Sequence, residues 1–153
     1  MKKLSIISVF LVLFMSVSVS AQNPDKQLPI EQLLDADAKH NLDVAWQYFR
    51  LRKAYIAVLL RTEETMAAHP TFSKMDEILY LSGMSSYYLS KGKGKQKIDL
   101  TKLPEDERDR WRTERLTEDA VAFLGQLIEE HPESKYASKA KKTYNKIRPP
   151  DKK

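Results

Sequence analysis

Cysteine is absent from this chain, and glycine is scarce, with 4 residues in 153. The absence of cysteine excludes disulfide bonds, cysteine-ligated zinc sites and a thiol nucleophile. The low numbers of glycine and of proline, which occurs 7 times, argue against a collagen-like chain and a sheet with many tight turns. Hydrophobic residues make up 42% of the chain and charged residues 31%, a composition typical of one globular domain.

Long apolar runs are also absent, except at the beginning of the chain. Two lysines precede an apolar stretch over residues 4–19, and small residues follow up to Ala21. This pattern predicts a secretory signal peptide over residues 1–21, cleaved before Gln22. An N-terminal membrane anchor is the alternative, but a spanning helix needs roughly 20 apolar residues. We therefore expect an exported chain, and because Gln22 stands where a lipid-anchored protein needs cysteine, we expect no lipid anchor.

Basic residues are in excess, with a formal net charge of +5. The excess lies in the alternating lysines Lys91, Lys93, Lys95 and Lys97, and in residues 135–153. Such segments can bind nucleic acid or anionic lipid, although a solvated surface is the commoner explanation. For an exported chain we predict no nucleic-acid partner and a weak contact with an anionic membrane surface. Charge reversal of the four lysines should then abolish binding to vesicles.

Apolar residues at three-to-four spacing predict helices along the first half of the domain. Pro29 and Leu33 predict a short first helix, and Asn41 is placed to cap a second one. Further helices are predicted over residues 55–69 and 76–91. The last of these is apolar on nearly every face, so we expect it to be the central and most buried helix.

The second half of the chain is also predicted to be helical. A loop containing lysine and glycine over residues 91–104 precedes a highly charged, exposed helix over residues 105–119. Apolar residues over 116–127 form one helical stripe, and a last helix begins near Ser134 and ends at Pro149. Because no alternating pattern of a strand occurs, we predict an all-α fold.

An internal repeat is visible in two helical segments that end in His-Pro, at residues 69–70 and 131–132. The order of helix, turn, helix and proline is that of a tetratricopeptide repeat of about 34 residues. Such a unit buries its apolar face against a neighbour. We therefore predict a tetratricopeptide-like (TPR-like) α-solenoid over residues 30–148, with about two helix pairs and a C-terminal capping helix. Residues 22–29 and 149–153 are predicted to be disordered.

The two units depart from the repeat pattern at recognisable places. Trp46 stands where a small residue is usual, and Lys53 where the turn often has glycine. About 25 additional residues, near 93–117, separate the two helices of the second unit. Since these units usually occur in threes or more, we expect a protein partner or a second copy of the chain to complete the domain.

No constellation of residues indicates a catalytic or metal site. The three histidines, His40, His69 and His131, are not spaced to place two ligands on one helix face. Adjacent carboxylates such as Glu63 and Glu64 point about 100° apart on a helix, and neither a nucleophile elbow nor a phosphate loop is present. We predict a protein that is not an enzyme and has no cofactor or metal.

Three stretches of the chain resemble the BamD-type outer-membrane assembly lipoproteins. They are residues 48–57 (YFRLRKAYIA), 77–88 (EILYLSGMSSYY) and 131–137 (HPESKYA). The similarity extends over residues 41–142, and the lipidated cysteine of that family is missing. This resemblance implies an all-helical, non-enzymatic protein of the periplasm, or of the periplasmic face of the outer membrane. It further implies a scaffold for the machine that inserts β-barrel proteins.

Partner-binding residues are expected on the face formed by the first helix of each unit, where such repeats hold peptides. Helical projection places six side chains there, Gln47, Arg50, Tyr80, Met84, Tyr87 and Tyr88. An aromatic stripe at helical spacing more often packs in a core, so packing is the competing interpretation. We predict a scaffold that binds a peptide or partner protein, outer-membrane assembly components among them. The alternative is a structural subunit that oligomerises through its repeat ends without a peptide groove.

Overall fold

A computed structural model of the chain describes residues 29–150. The predicted leader over residues 1–21 lies outside the described residues, and so do the predicted disordered segments 22–29 and 149–153 except for residues 29, 149 and 150. Throughout the described part the regular secondary structure is helical and contains no strand. The predicted all-α class is confirmed.

The helices are α1 (Ile30–Gln47), α2 (Tyr55–Ala68), α3 (Met75–Ser90), α4 (Glu105–Arg108), α5 (Thr113–Glu130) and α6 (Ala137–Ile147). A π-helical turn, Tyr48–Arg52, extends α1, and two 3-10 turns, Leu100–Lys102 and Asp109–Trp111, lie between α3 and α5. Helix α1 pairs with α2, α3 pairs with α5, and α6 packs against α5. Two helix pairs and a terminal helix are the TPR-like arrangement that the repeat predicts.

The His-Pro repeat corresponds to two helix ends of the same geometry. His69 ends α2 with φ −135° and ψ 63°, and His131 ends α5 with φ −132° and ψ 55°. In both residues the backbone leaves the helix immediately before proline, which cannot continue it. The side chain of His69 is buried and its Nε2 lies 2.9 Å from Oδ2 of Asp37 in α1. The first of the two ends therefore also connects the helices of its unit.

The beginning of the domain differs from the prediction, because α1 is one continuous helix of 18 residues. The predicted cap at Asn41 was wrong. Between Pro29 and Asn41 there is neither glycine nor proline, so nothing interrupts the helical hydrogen bonds. Asn41 is a buried residue inside α1, where its side chain donates to Asp37 at 3.3 Å and accepts from Arg61 of α2 at 3.2 Å.

Helix α3 occupies the centre of the fold, between α2 and α5. Eleven of its 16 residues are buried, as its apolar residues on nearly every face predict. Small residues let the neighbouring helices approach closely. Ser82 donates to Thr62 of α2 at 2.8 Å, and Gly83 lies against the fully buried Leu124 of α5.

The segment before α5 also differs from the prediction of one long helix over residues 105–119. The chain forms the short α4 and a 3-10 turn, and Arg112 is extended with ψ 148° before α5 begins. Trp111 is half-buried in this break, against a buried cluster that includes Leu59 and Leu116. We attribute the break to the packing of this aromatic ring, because a helix with charged residues on every side has no face to bury.

Candidate functional site: an aromatic face on α1, α3 and α6

The first helices of the units form one layer, in which α3 contacts both α1 and α6. Aromatic side chains of these helices and their flanking turns meet there. We call this group the aromatic face: Trp46, Phe49, Tyr80, Tyr87, Tyr88 and Tyr136. The rings of Tyr80 and Tyr136 are stacked at 4.6 Å between centroids, and Trp46 lies 5.5 Å from Tyr136. Ring pairs at these distances add attraction to the apolar area that they bury.

Glu77 of α3 anchors the polar edges of two of these rings. Its Oε2 accepts hydrogen bonds from Nε1 of Trp46 at 2.7 Å and from the hydroxyl of Tyr136 at 3.0 Å. The Nζ of Lys135 lies 3.8 Å from the other carboxylate oxygen, and the Glu77 side chain is only 13% exposed. One carboxylate therefore connects α1, α3 and the turn before α6, and it holds the two rings in fixed orientations.

Cations border the aromatic face. The Arg50 guanidinium lies 4.0 Å from the centre of the Trp46 ring, and Nζ of Lys135 lies 4.9 Å from that of Tyr136. At the other end of α3, Lys93 lies 5.7 Å from the ring of Tyr88. These are cation–π distances. The face thus offers aromatic area edged by positive charge.

The structure places the six predicted partner-binding residues at different depths. Gln47 and Arg50 are exposed, and Tyr87 and Tyr88 are half-buried. In contrast, Tyr80 is 7% and Met84 is 6% exposed, and both pack in the cluster formed by α3, α5 and α6. Four of the six side chains therefore reach solvent, and two support the surface from below.

Three members of the face, Trp46, Phe49 and Tyr136, were not among the predicted partner-binding residues, and neither was Glu77, which anchors two of them. Trp46 carried a usable signal, since it is a large side chain where the repeat has a small one. Nothing local connects Glu77 with Tyr136, because 59 positions separate them. Only the packing of α6 beside α3 brings them together.

Burial raises the pKa of two tyrosines of this face, Tyr80 and Tyr136. Desolvation raises the pKa of Tyr80 above its ordinary value of 10.0, and the neighbouring Tyr88 and Tyr136 raise it further, while Arg50 acts in the opposite direction. Desolvation likewise raises the pKa of Tyr136. Both phenols are therefore neutral at physiological pH, so the Tyr136 hydroxyl is available as a donor to Glu77.

Alkaline pH is expected to unfold the domain partly through these tyrosines. Above about pH 10 a tyrosine of the unfolded chain loses its proton before a buried one does, so the unfolded state binds fewer protons and stability falls as pH rises. We expect Tyr80→Phe to reduce this loss while leaving the neutral-pH stability close to wild type. Urea denaturation of both proteins at a series of pH values measures the difference. An equal alkaline loss in the variant would contradict the assignment.

A second concave region lies between α2 and the segment that precedes α5. It encloses about 530 Å³ and is lined by Ile56, Leu60, Lys97, Ile98, Asp99, Leu103, Glu107, Arg110 and Trp111. The Arg110 guanidinium forms an ion pair with Glu63 of α2 and so holds this segment against the helix. The sequence predicts a loop and a solvated helix for this segment, and no motif in it indicates this cleft.

Residues 29–150 contain neither an evident metal site nor a helix suited to span a bilayer. No group of histidine and carboxylate side chains there is arranged to hold a metal ion. Of the helices that those residues form, none combines the length and the apolar character needed to cross a membrane.

The helix pairs, the shared His-Pro ends and the layer of first helices define this chain as a TPR-like helical-repeat protein. Residues 63–149 match the family YfiO, whose description is "Outer membrane lipoprotein". The match covers more than half of the chain, so the chain belongs to this family of outer-membrane lipoproteins. The resemblance to BamD-type lipoproteins is thereby confirmed. No curated protein and no solved structure matches the chain.

Proposed function

We propose that this protein is an exported, non-enzymatic scaffold of the bacterial envelope that binds a peptide or partner protein across the aromatic face. The observation that carries the proposal is the carboxylate of Glu77, which fixes Trp46 and Tyr136 beside exposed cations. Because the orientation of the half-buried Trp46 ring is already set, it loses little entropy when a partner packs on it, and the buried Tyr136 supports it from below. Tyrosine, tryptophan and arginine are also the residues that contribute most to protein interfaces.

The depth of each side chain suggests its part in binding. Gln47 and Arg50 are exposed and would hydrogen-bond the polar groups of a partner, since amide and guanidinium groups donate in fixed directions. The half-buried rings of Tyr87 and Tyr88 would supply apolar contact. Family membership supports a location in the periplasm, or on the periplasmic face of the outer membrane. It also supports partners among the components that assemble outer-membrane proteins.

Cross-linking in the native cells, with a tag at the C-terminus, tests this proposal. We expect wild-type protein to recover outer-membrane assembly components, and Arg50→Ala or Tyr87→Ala to recover them at least about tenfold less. Arg115→Ala is the matched control, because Arg115 is an exposed arginine of α5 that pairs with Asp119 at 3.3 Å. Equal recovery by all variants that keep wild-type helicity would refute binding at the aromatic face.

A structural role by oligomerisation is the second candidate, and the beginning of α1 favours it. Ile30, Leu33 and Leu34 lie at helical spacing and are 75%, 53% and 47% exposed. In a solenoid, an apolar stripe at a terminal helix is normally covered by a further unit. A mass that rises with protein concentration, together with recovery of only the chain itself after cross-linking, would favour this role over partner binding.

A further inference from the structure

Two basic segments that are distant in sequence lie side by side at one end of the helices. The first segment, residues 51–53, is the end of the π-helical turn and the residue after it. The second segment is the loop over residues 91–97, which follows α3. The backbone N–H of Lys95 donates to the carbonyl of Lys53 at 3.0 Å, and the side chain of Gln96 accepts from the N–H of Ala57 at 3.2 Å. We call the resulting surface the basic patch. It consists of Leu51, Arg52, Lys53, Lys91, Lys93, Lys95 and Lys97, all of which are exposed.

The positive charge of the basic patch is not neutralised by neighbouring carboxylates. Residues 48–62 and 78–98 contain no aspartate or glutamate. Within residues 29–150 none of the six cations of the patch forms an ion pair, and Arg52, Lys91 and Lys93 instead lie over tyrosine rings. In the charged segment that follows, Lys102 pairs with Asp99. The lysines of α6 also form no ion pair within residues 29–150, but only in the patch do such cations surround a large exposed hydrophobic side chain, Leu51.

Leu51 gives the basic patch an apolar projection. This side chain is 76% exposed, the largest exposed fraction among the large hydrophobic residues of the described chain. It is followed by Arg52 and by Lys53, which has the left-handed backbone conformation (φ 48°) that favours glycine. A lysine there strains the backbone and places one more cation beside the exposed leucine.

We propose that the basic patch docks this protein on the anionic headgroups of a lipid bilayer, with Leu51 inserted at the boundary between headgroups and acyl chains. Cations near an anionic bilayer each strengthen association about fivefold, and one apolar side chain adds to this when it leaves water. Nucleic acid is also an anion, but its phosphate backbone offers no apolar layer for the leucine. The patch adjoins the aromatic face, since Lys91 and Lys93 lie over Tyr87 and Tyr88, but its binding to vesicles is measured without any protein partner.

Co-sedimentation with vesicles tests the electrostatic part of the proposal. The full chain, purified after export, is mixed with vesicles of phosphatidylcholine and phosphatidylglycerol in equal amounts. We expect binding that weakens steeply with added salt. Reversal of the four loop lysines to glutamate (K91E, K93E, K95E, K97E) should lower it at least about a hundredfold. The matched control reverses four exposed lysines of α6 (K139E, K141E, K142E, K146E), and its loss should be much smaller.

Site-specific labelling tests the insertion of Leu51. Because the chain has no cysteine, Leu51→Cys provides a single thiol for a dye whose emission depends on polarity. We expect a shift to shorter wavelength on the mixed vesicles and none with the same dye on Leu33→Cys. Leu33 is also exposed and lies 18 positions earlier, about 27 Å along the helical axis.

Several outcomes would overturn the proposal. Equal binding to vesicles of phosphatidylcholine alone would show that the anionic headgroup is not recognised. An equal loss in both lysine quadruple variants would show that only net charge matters. Binding to a DNA duplex but not to vesicles would assign the patch to another polyanion, and an unshifted dye at position 51 on bound protein would exclude insertion.

Discussion

Replacement of Leu124 by alanine is expected to lower the free energy of unfolding by about 3–5 kcal/mol. The Leu124 side chain is fully buried between α5 and α3, the pair on which both the core and the aromatic face depend. Truncation removes favourable burial and leaves a cavity that closely packed helices cannot fill completely. Urea denaturation followed by circular dichroism measures the change. A loss below about 1 kcal/mol would contradict the close packing of this pair.

Gly83 provides the complementary test of the same contact. A Cβ atom at this position would lie 2.6 Å from Cγ of Leu124, so we expect Gly83→Ala to introduce overpacking of about 1–3 kcal/mol. Better helix propensity offsets about 1 kcal/mol of that cost. Removal of the Leu124 side chain frees the space that the new methyl group needs. The double variant should therefore lose less stability than the sum of the two single variants.

Gly125→Ala is the matched control for Gly83→Ala. It is also a helical glycine, but an added Cβ would meet only the ring of Tyr144, at 3.3 Å. We expect the free energy of unfolding of this variant to stay within about 1 kcal/mol of wild type. The ring of Tyr144 lies on the terminal helix and can shift by a few tenths of an ångström. Two results would contradict this account. One is a stability loss in the double variant at positions 83 and 124 that equals the sum of the two single losses. The other is an equal loss of stability in Gly83→Ala and Gly125→Ala.

Truncation of Glu77 to alanine is expected to lower the free energy of unfolding by about 2–4 kcal/mol. Two hydrogen bonds to a charged acceptor are lost, from Trp46 at 2.7 Å and from Tyr136 at 3.0 Å, and each such bond is worth about 1.5–3 kcal/mol. The total lies below the sum of the two because Trp46 is only half-buried, so water can replace part of the loss. Urea denaturation measures the effect.

Glu77→Gln distinguishes the hydrogen bonds from the negative charge. Glutamine keeps one acceptor oxygen at nearly the same place, so we expect it to recover about half of the stability that alanine loses. Near-ultraviolet circular dichroism should report altered packing of Trp46 in the alanine variant more than in the glutamine variant. Full wild-type stability in Glu77→Ala would show that this carboxylate does not hold the aromatic face together.

The aromatic face was predictable in part. Helical spacing predicted that the tyrosines of α3 lie on the face formed by the first helices. It does not show how deeply each side chain is buried. Tyr80 and Tyr87 are both tyrosines of one helix, and Tyr80 is buried because Trp46 and Tyr136 cover it from two neighbouring elements. Burial of a side chain depends on what packs on it from a distant part of the chain, and the periodicity of one helix does not contain that information.

The helix boundaries, too, could be predicted from the sequence at some places and not at others. Prolines after His69 and His131 end α2 and α5 where the sequence predicts, since a backbone without an N–H cannot continue a helix. The break at Arg112 before α5 has no such local signal. It coincides with the place where Trp111 packs against the buried cluster near Leu116, and that cluster forms only when α2 and α5 are both packed on α3.

The sequence by itself determined the helical class, the repeat and the central position of α3, because these follow from local propensity, proline placement and the spacing of apolar residues. Only the tertiary structure decided that Glu77 anchors two rings from other elements. It also decided that Lys53 and Lys95 belong to one basic patch, although 42 positions separate them. Such groups form when helices pack, since the geometry of packing, and not the order of residues, sets which distant side chains become neighbours.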